Sequence, residues 1–130
     1  MPDILVQEDV HLVPGHRVFL RIYGENVDSP LPPYVGYRIR AWSSQGHQFP
    51  EIRGNSADSQ PDIHNLGDPD AVIGGKVQVA VVVIDFDQLP NKYAVHVELR
   101  QEGATDVAYH DRQEFDYLTP QRLMWLFNIV

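Results

Sequence analysis

The segment VQVAVVVIDFDQLPNKYAVHVELRQ, residues 77–101, decides the fold of this chain. Valines occupy every second position of residues 77–83, and residues 93–100 alternate in the same way after a turn at residues 89–92. A period of two is typical of β-strands that bury one face in a core. The β-branched residues of the first run favour the same structure. We therefore predict two strands joined by a short link.

The same alternation predicts the remaining strands. They fall at residues 16–24 and 34–43, with an edge strand at 49–53, a short strand at 106–110 and a closing strand at 123–130. Thr119 and Pro120 resemble a helix start. Residues 123–130 are apolar on both faces, however, and this favours a buried strand. Five to seven short strands with almost no helix predict a single all-β domain, residues 1–130, built as an antiparallel β-sandwich.

Length and charge exclude several classes of protein. The chain has 130 residues, no cysteine and a net charge of −8. A nucleic-acid partner is not expected, because phosphate binding requires a basic surface. The start of the chain, from Met1 to Ile4, shows no basic region followed by a long apolar run, so we expect neither a signal peptide nor a transmembrane span.

Four short motifs resemble one known family. Tyr34-Val35-Gly36-Tyr37-Arg38-Ile39, followed by Ser43-Ser44-Gln45-Gly46, resembles a strand and glycine turn of the C-terminal domain of Wzt, the nucleotide-binding subunit of O-antigen ABC transporters. Gly54-Asn55-Ser56 is similar to its G-x-N-[TS] segment, one residue shorter. Leu89-Pro90-Asn91-Lys92-Tyr93 resembles its L-x-x-G-x-Y strand entry, with asparagine for glycine. Phe127-Asn128-Ile129-Val130 resembles its closing F-x-V strand, with an offset.

The resemblance carries several expectations. It implies an immunoglobulin-like sandwich that binds the terminus of an O-antigen polysaccharide and has no enzymatic activity or cofactor. It implies a homodimer, and in some members of the family the last strand, here at about residues 123–130, is exchanged between protomers. It also implies a cytoplasmic location at the inner membrane, with a transporter membrane subunit as partner through an ATPase domain that this sequence lacks. No G-x-x-x-x-G-K-[ST] motif is present.

The resemblance also suggests where a sugar would bind. In an immunoglobulin-like sandwich, the link after residues 77–84 crosses to the other sheet, which would make strands 34–43 and 93–100 neighbours. Their outward faces would form one platform of guanidinium, carboxylate, imidazole and indole groups, which suit sugar hydroxyls and C–H patches. This predicted platform consists of Arg38, Arg40, Trp42, His96, Glu98 and Arg100. An ordinary solvated face with charges paired across strands is the alternative.

The opposite sheet is expected to present an apolar outer face. Phe19 and Tyr23 would lie beside Val82 and Ile84 there, and so large an apolar face suggests a covered surface. A dimer partner or the closing strand could cover it, and the strands could instead be buried on both sides. The predicted dimer interface consists of Phe19, Tyr23, Val82, Ile84, Leu123, Trp125 and Phe127.

The acidic residues, histidines and serines show no complete catalytic or metal-binding pattern. Asp85 and Asp87 are two residues apart, as are Asp68 and Asp70, but neither pair has the spacing of a calcium loop. The six histidines show no H-x-H or H-x-x-x-H spacing, and no serine lies in a G-x-S-x-G motif. We therefore predict no enzyme and no metal site. A structural immunoglobulin-like dimerisation module, without glycan binding, is the alternative function.

Overall fold

The computed structural model describes residues 4–57, 60–85, 91–104, 107–117 and 120–130. Within these ranges the chain forms nine β-strands and a single 3-10 helix, Pro69–Ala71. Among the described residues, no helix has the length and hydrophobicity needed to cross a bilayer. The strands are β1 (Ile4–Val10), β2 (Val18–Asn26), β3 (Tyr34–Trp42), β4 (Ile52–Ser56), β5 (Asp62–Gly67), β6 (Lys76–Ile84), β7 (Lys92–Gln101), β8 (Tyr109–Asp116) and β9 (Gln121–Ile129).

Two sheets pack face to face as a β-sandwich. The five-stranded sheet has the order β1-β9-β6-β3-β4, and the four-stranded sheet has the order β5-β2-β7-β8. All pairings are antiparallel except that of β1 with β9 at one edge. The all-β sandwich predicted from the alternation is therefore confirmed.

The core lies between the sheets and is built from alternate residues of the central strands. In β6 the valines at 77, 79, 81 and 83 are buried, while the residues between them are half-exposed. In β9 one face is fully buried and includes Trp125, whereas Met124 and Leu126 on the other face are half-exposed. The strand predicted for residues 123–130 is thus confirmed, but it is buried on one face rather than both.

The prediction of which strands are neighbours is partly wrong. The link after β6 does cross to the other sheet, as expected, because β6 and β7 lie in different sheets. Between β3 and β6, however, the chain crosses twice, from β4 to β5 and from β5 to β6, and so returns to the sheet of β3. As a result β3 pairs with β6, and β2 pairs with β7. Period-two alternation shows which face of a strand is buried, but it does not show which strand is hydrogen-bonded to which.

Several strands lie elsewhere than predicted. The edge strand expected at 49–53 is β4, and β5 was not predicted in the long polar segment that follows it. β1 was not predicted either. The strand expected at 106–110 begins at Tyr109 and continues through the acidic segment to Asp116. The turn at Leu89–Pro90, together with Asp87 and Thr119, lies outside the described residues.

The residues expected at a dimer interface divide among three places. Phe19 and Tyr23 lie on the outer face of the four-stranded sheet, where β2 pairs with β7. Val82 and Ile84 lie on the outer face of the five-stranded sheet, so the four do not form one patch. The other three lie in the core of a single protomer, where they could meet a partner only if β9 were exchanged: Leu123, Trp125 and Phe127.

Candidate functional site

Three of the predicted sugar-binding residues lie together on the outer face of the five-stranded sheet. Arg38, Arg40 and Trp42 alternate along β3 with the buried side of that strand. Their partners on β6 are Ala80, Gln78 and Lys76, in that order. Because alternate residues of one strand share a face, this half of the predicted platform depends only on β3 being a strand.

Trp42 lines a pocket of about 450 Å³ at the end of this face. Lys76 and Leu126 form its walls on the neighbouring strands, and the turn that begins at Ser43 closes its end together with Gly74 and Gly75. Lys76 is exposed and makes no ion pair with a described residue. The pocket therefore combines an indole, an aliphatic wall and an ammonium group.

Two glycine-containing turns shape this pocket. A Cβ atom on Gly75 would lie 1.9 Å from the main-chain oxygen of Trp42, so only glycine permits the approach. Gly75 also accepts a hydrogen bond from the main-chain N–H of Ile129 (3.1 Å), which attaches this turn to β9. In the other turn, the Ser43 hydroxyl accepts hydrogen bonds from the main-chain N–H groups of Gln45 and His47. Both turns are therefore fixed before any ligand arrives.

A second concavity of about 380 Å³ lies further along the same face. Its floor is apolar and includes Ala80, Val82 and Met124, and Gly36 leaves space on β3. Arg38 lines one side of this trough and Arg122 lines another. The trough thus places a flat hydrocarbon surface between two guanidinium groups.

Glu51 joins the arginines on this face into one cluster. Its Oε1 accepts a hydrogen bond from Arg40 Nε (2.9 Å) and lies 3.2 Å from Arg38 Nε, while its Oε2 accepts from Arg53 Nε (2.9 Å). The hydrogen bond from Arg40, with that from Arg53, holds the pKa of the Glu51 carboxyl below its ordinary value. Glu51 is therefore ionised at neutral pH, and the cluster carries an excess of positive charge.

The other half of the predicted platform lies on the opposite side of the sandwich. His96 and Glu98 are only 9% and 8% exposed, although both point outward from β7. His96 stacks on Tyr23 with a centroid distance of 4.3 Å, and its Nε2 lies 3.0 Å from Glu25 Oε1. Neighbouring side chains of the same sheet therefore cover His96, which reduces its access to a ligand.

The Glu98 carboxylate forms ion pairs with two arginines of the same chain. Its Oε1 lies 3.6 Å from Arg21 Nη1 and also accepts a hydrogen bond from Arg100 Nε. The Arg21–Glu98 pair crosses from β2 to β7, which matches the alternative of an ordinary face with paired charges. The expectation of one continuous platform is therefore wrong, because β3 and β7 belong to different sheets.

A polar cluster between the sheets was not predicted. Tyr37, 6% exposed, points inward from β3, and its hydroxyl donates a hydrogen bond to Asp62 Oδ2 (2.7 Å) on β5. The same oxygen lies 2.5 Å from His64 Nε2. Gly54 on β4 provides the space, because a Cβ atom there would lie 2.5 Å from the Tyr37 hydroxyl oxygen. No sequence signal links these residues, since β5 itself was not predicted.

The acidic pairs of the sequence do not form metal sites in the described part of the structure. Asp68 caps the 3-10 helix, and its Oδ1 accepts a hydrogen bond from the Asp70 main-chain N–H (2.9 Å). Asp85 is 7% exposed at the end of β6. Among the residues that the structure describes, no three His, Asp or Glu side chains converge in a way that could hold a metal ion.

Comparison of the chain with protein-family models, with curated proteins and with solved structures gives no match.

Proposed function

We propose that this chain is a non-catalytic carbohydrate-binding module that uses the outer face of the five-stranded sheet. The observation that carries the proposal is the pocket that Trp42 lines together with Lys76, Leu126 and the turn that begins at Ser43. Sugar rings present apolar C–H patches that stack on indole and hydroxyl groups that need hydrogen-bonding partners. This pocket offers both.

The pocket and the neighbouring trough suit a chain of sugars rather than one ring. Trp42 and Arg38 are four residues apart on β3, which corresponds to about 13 Å along an extended strand. Arg40 lies between them on the same face. A polysaccharide terminus of a few residues could therefore contact the pocket with one ring and the trough with another.

We propose an immunoglobulin-like fold class for the sandwich. In an antibody constant domain one sheet carries strands C, F and G and the other carries A, B, E and D. Here β6 lies between β3 and β9, as F lies between C and G. The chain order differs, because β6 precedes β7 and β8. The shared feature is the spatial arrangement of the central strands rather than their connection.

The proposed family is that of the C-terminal domains of Wzt-type O-antigen transporter subunits. The motif around Tyr34–Ile39 supports it, since this segment forms the strand that carries Arg38 and leads to the turn at the Trp42 pocket. On this proposal the ligand is an O-antigen polysaccharide terminus. The partners are then an ATPase domain and a transporter membrane subunit at the cytoplasmic face of the inner membrane.

Retention of glycans by matched variants tests the proposal. The chain is run on affinity gels that contain defined O-polysaccharides, beside Trp42→Ala and Phe19→Ala. Phe19 is an aromatic residue of similar partial burial on the outer face of the other sheet. We expect at least one glycan to retard the wild type and Phe19→Ala, and Trp42→Ala to lose most of that retardation. Equal loss in both variants, or no retardation by any glycan, contradicts the proposal.

Dimerisation is the second candidate function, and one observation favours it. The outer face of the five-stranded sheet carries half-exposed Val82, Met124 and Leu126, and Leu5 beside them is 52% exposed. A second copy could cover this apolar strip. Sedimentation of the wild type and Val82→Asp distinguishes the two functions. A dimer that Val82→Asp dissociates, with no glycan retained by either protein, favours the structural role.

A further inference from the structure

We propose that Arg38, Arg40 and Arg53, gathered around Glu51, form a binding site for the anionic group of an acidic sugar. We call these four residues the arginine cluster. The identity of the ligand as a sugar rests on the proposed function, whereas the anion site rests on the cluster alone.

The cluster keeps most of its hydrogen-bond donors available. Each arginine approaches Glu51 through its Nε atom, at 2.9 Å for Arg40 and Arg53 and 3.2 Å for Arg38. Their terminal amino groups donate no hydrogen bond to another residue in the described part of the chain. A guanidinium group has five N–H donors in a planar fork that fits carboxylate and phosphate oxygens. An anion can therefore bind without displacing Glu51.

The charge of the cluster favours an anion. Three guanidinium groups face one carboxylate, so two positive charges remain uncompensated within the cluster. Arg38 and Arg53 are direct cross-strand partners in the β3–β4 pair. Like charges in that position destabilise a sheet, and Glu51 relieves this only in part. The side chains of Arg38, Arg40 and Arg53 are 42%, 34% and 72% exposed, so a ligand can reach them.

Arg112 on the opposite sheet has more acidic neighbours than the arginines of the cluster. Arg112, with a side chain 35% exposed, lies between Glu25 (3.2 Å) and Glu114 (2.6 Å). Lys92 also lies 3.5 Å from Glu114 and 4.0 Å from Asp116, so this group has two positive charges for three negative charges and no excess of positive charge for an anion. Arg112 is thus a matched control for Arg40, since the two side chains have similar exposure and each accepts the same substitution.

The position of the cluster favours an anionic sugar over a simple inorganic ion as the ligand. Arg38 belongs both to the cluster and to the wall of the trough, whose floor includes Ala80, Val82 and Met124. A ligand held there can place an acidic group against the guanidinium groups and a hydrocarbon face on the floor. Acidic sugars combine these two features in one ring.

Titration with inorganic phosphate tests the anion site, followed through the NMR signals of the arginine Nε–H groups. We expect saturable shifts at Arg38, Arg40 and Arg53, and affinity that falls as salt rises from about 0.05 M to about 0.5 M, because salt screens charges on this exposed surface. Arg40→Gln should lower phosphate affinity by about tenfold, since it removes a charge-assisted contact. Arg112→Gln should leave it unchanged. No saturable shift, or equal loss in both variants, overturns the site.

The affinity gels then assign the ligand. Glycans retained by the wild type should be acidic, and Arg40→Gln should release them while Arg112→Gln retains them. Retention of neutral glycans alone, without phosphate shifts, overturns this inference and leaves the proposed function standing. Phosphate shifts without any retained glycan contradict the proposed function and the sugar as ligand, but leave the anion site.

Discussion

Replacement of Tyr37 by phenylalanine tests how much the polar contacts between β3 and β5 contribute to the free energy of unfolding. The substitution keeps the buried ring and removes only the hydroxyl, which donates to Asp62 Oδ2 (2.7 Å) and contacts His64 Nε2 (2.5 Å). The removed group is a single oxygen atom, so we expect the lost polar contacts to dominate the change in stability.

The structure gives the expected size of this change. A hydrogen bond to a charged group contributes about 1.5–3 kcal/mol, and a neutral one about 1 kcal/mol. Asp62 and His64 are both half-exposed, so water replaces part of what is lost. We therefore expect Tyr37→Phe to lower the free energy of unfolding by about 2 kcal/mol, a large fraction of the stability of a small domain.

Urea denaturation at pH 7 provides the assay. We expect the slope of the unfolding free energy against urea concentration to be the same in the variant and the wild type. Tyr117→Phe is the control, because Tyr117 packs edge-on against Tyr93 (5.6 Å) and makes no hydrogen bond through its hydroxyl among the described residues. We expect that variant to change stability by less than about 0.5 kcal/mol, within the range of a neutral substitution. Equal effects of the two substitutions would refute the assigned role of Tyr37.

The stability difference between the wild type and Tyr37→Phe is expected to depend on pH. Burial raises the pKa of the Tyr37 hydroxyl above its ordinary value of 10.0, and the hydrogen bond to Asp62 raises it further. The stability from this group is fully present below pH 10.0, the unfolded value, and decreases as the pH rises above it, since the unfolded chain then ionises first. Burial also raises the pKa of Tyr109, to about 12. Tyr37→Phe should therefore weaken, but not abolish, the loss of stability above pH 10.0.

Two further substitutions test the turn beside Trp42 and the attachment of the segment after β1 to β7. Gly75→Ala places a Cβ atom 1.9 Å from the Trp42 main-chain oxygen, so we expect a loss of at least about 2 kcal/mol in urea denaturation, with weaker glycan retention. For stability alone, Gly36→Ala is its control, since the nearest contact of the added Cβ atom would be 3.4 Å away. Gln101→Ala removes a buried amide that both donates to the Val13 main-chain oxygen (2.8 Å) and accepts from its N–H (2.9 Å). We expect a loss of about 2 kcal/mol by the same assay, and a loss below about 0.5 kcal/mol would contradict this account.

The alternation of residues predicted what lies within one strand. Arg38, Arg40 and Trp42 were expected on one outward face, and the structure places them together on β3. The same reasoning identified the buried valines of β6. Both inferences need only the pleat of a single strand, which the sequence determines locally.

The sequence did not predict correctly which strands pair with each other. His96 and Glu98 alternate outward as expected, yet Tyr23 and Arg21 of the adjacent strand cover them. This burial depends on β2 being the neighbour of β7, which follows from where the chain crosses between sheets. Glu51 was missed for the same reason, since it precedes β4 and meets the arginines only through the β3–β4 register.

One measurement tests the central claim directly: an NMR titration of the labelled chain with an oligosaccharide from a glycan that the gels retain. The account predicts that the indole N–H of Trp42 and the main-chain N–H groups of Gly74, Gly75 and Lys76 shift together, with saturation. Shifts confined to Tyr23 and His96 on the opposite sheet, or an absence of saturable shifts, would contradict it.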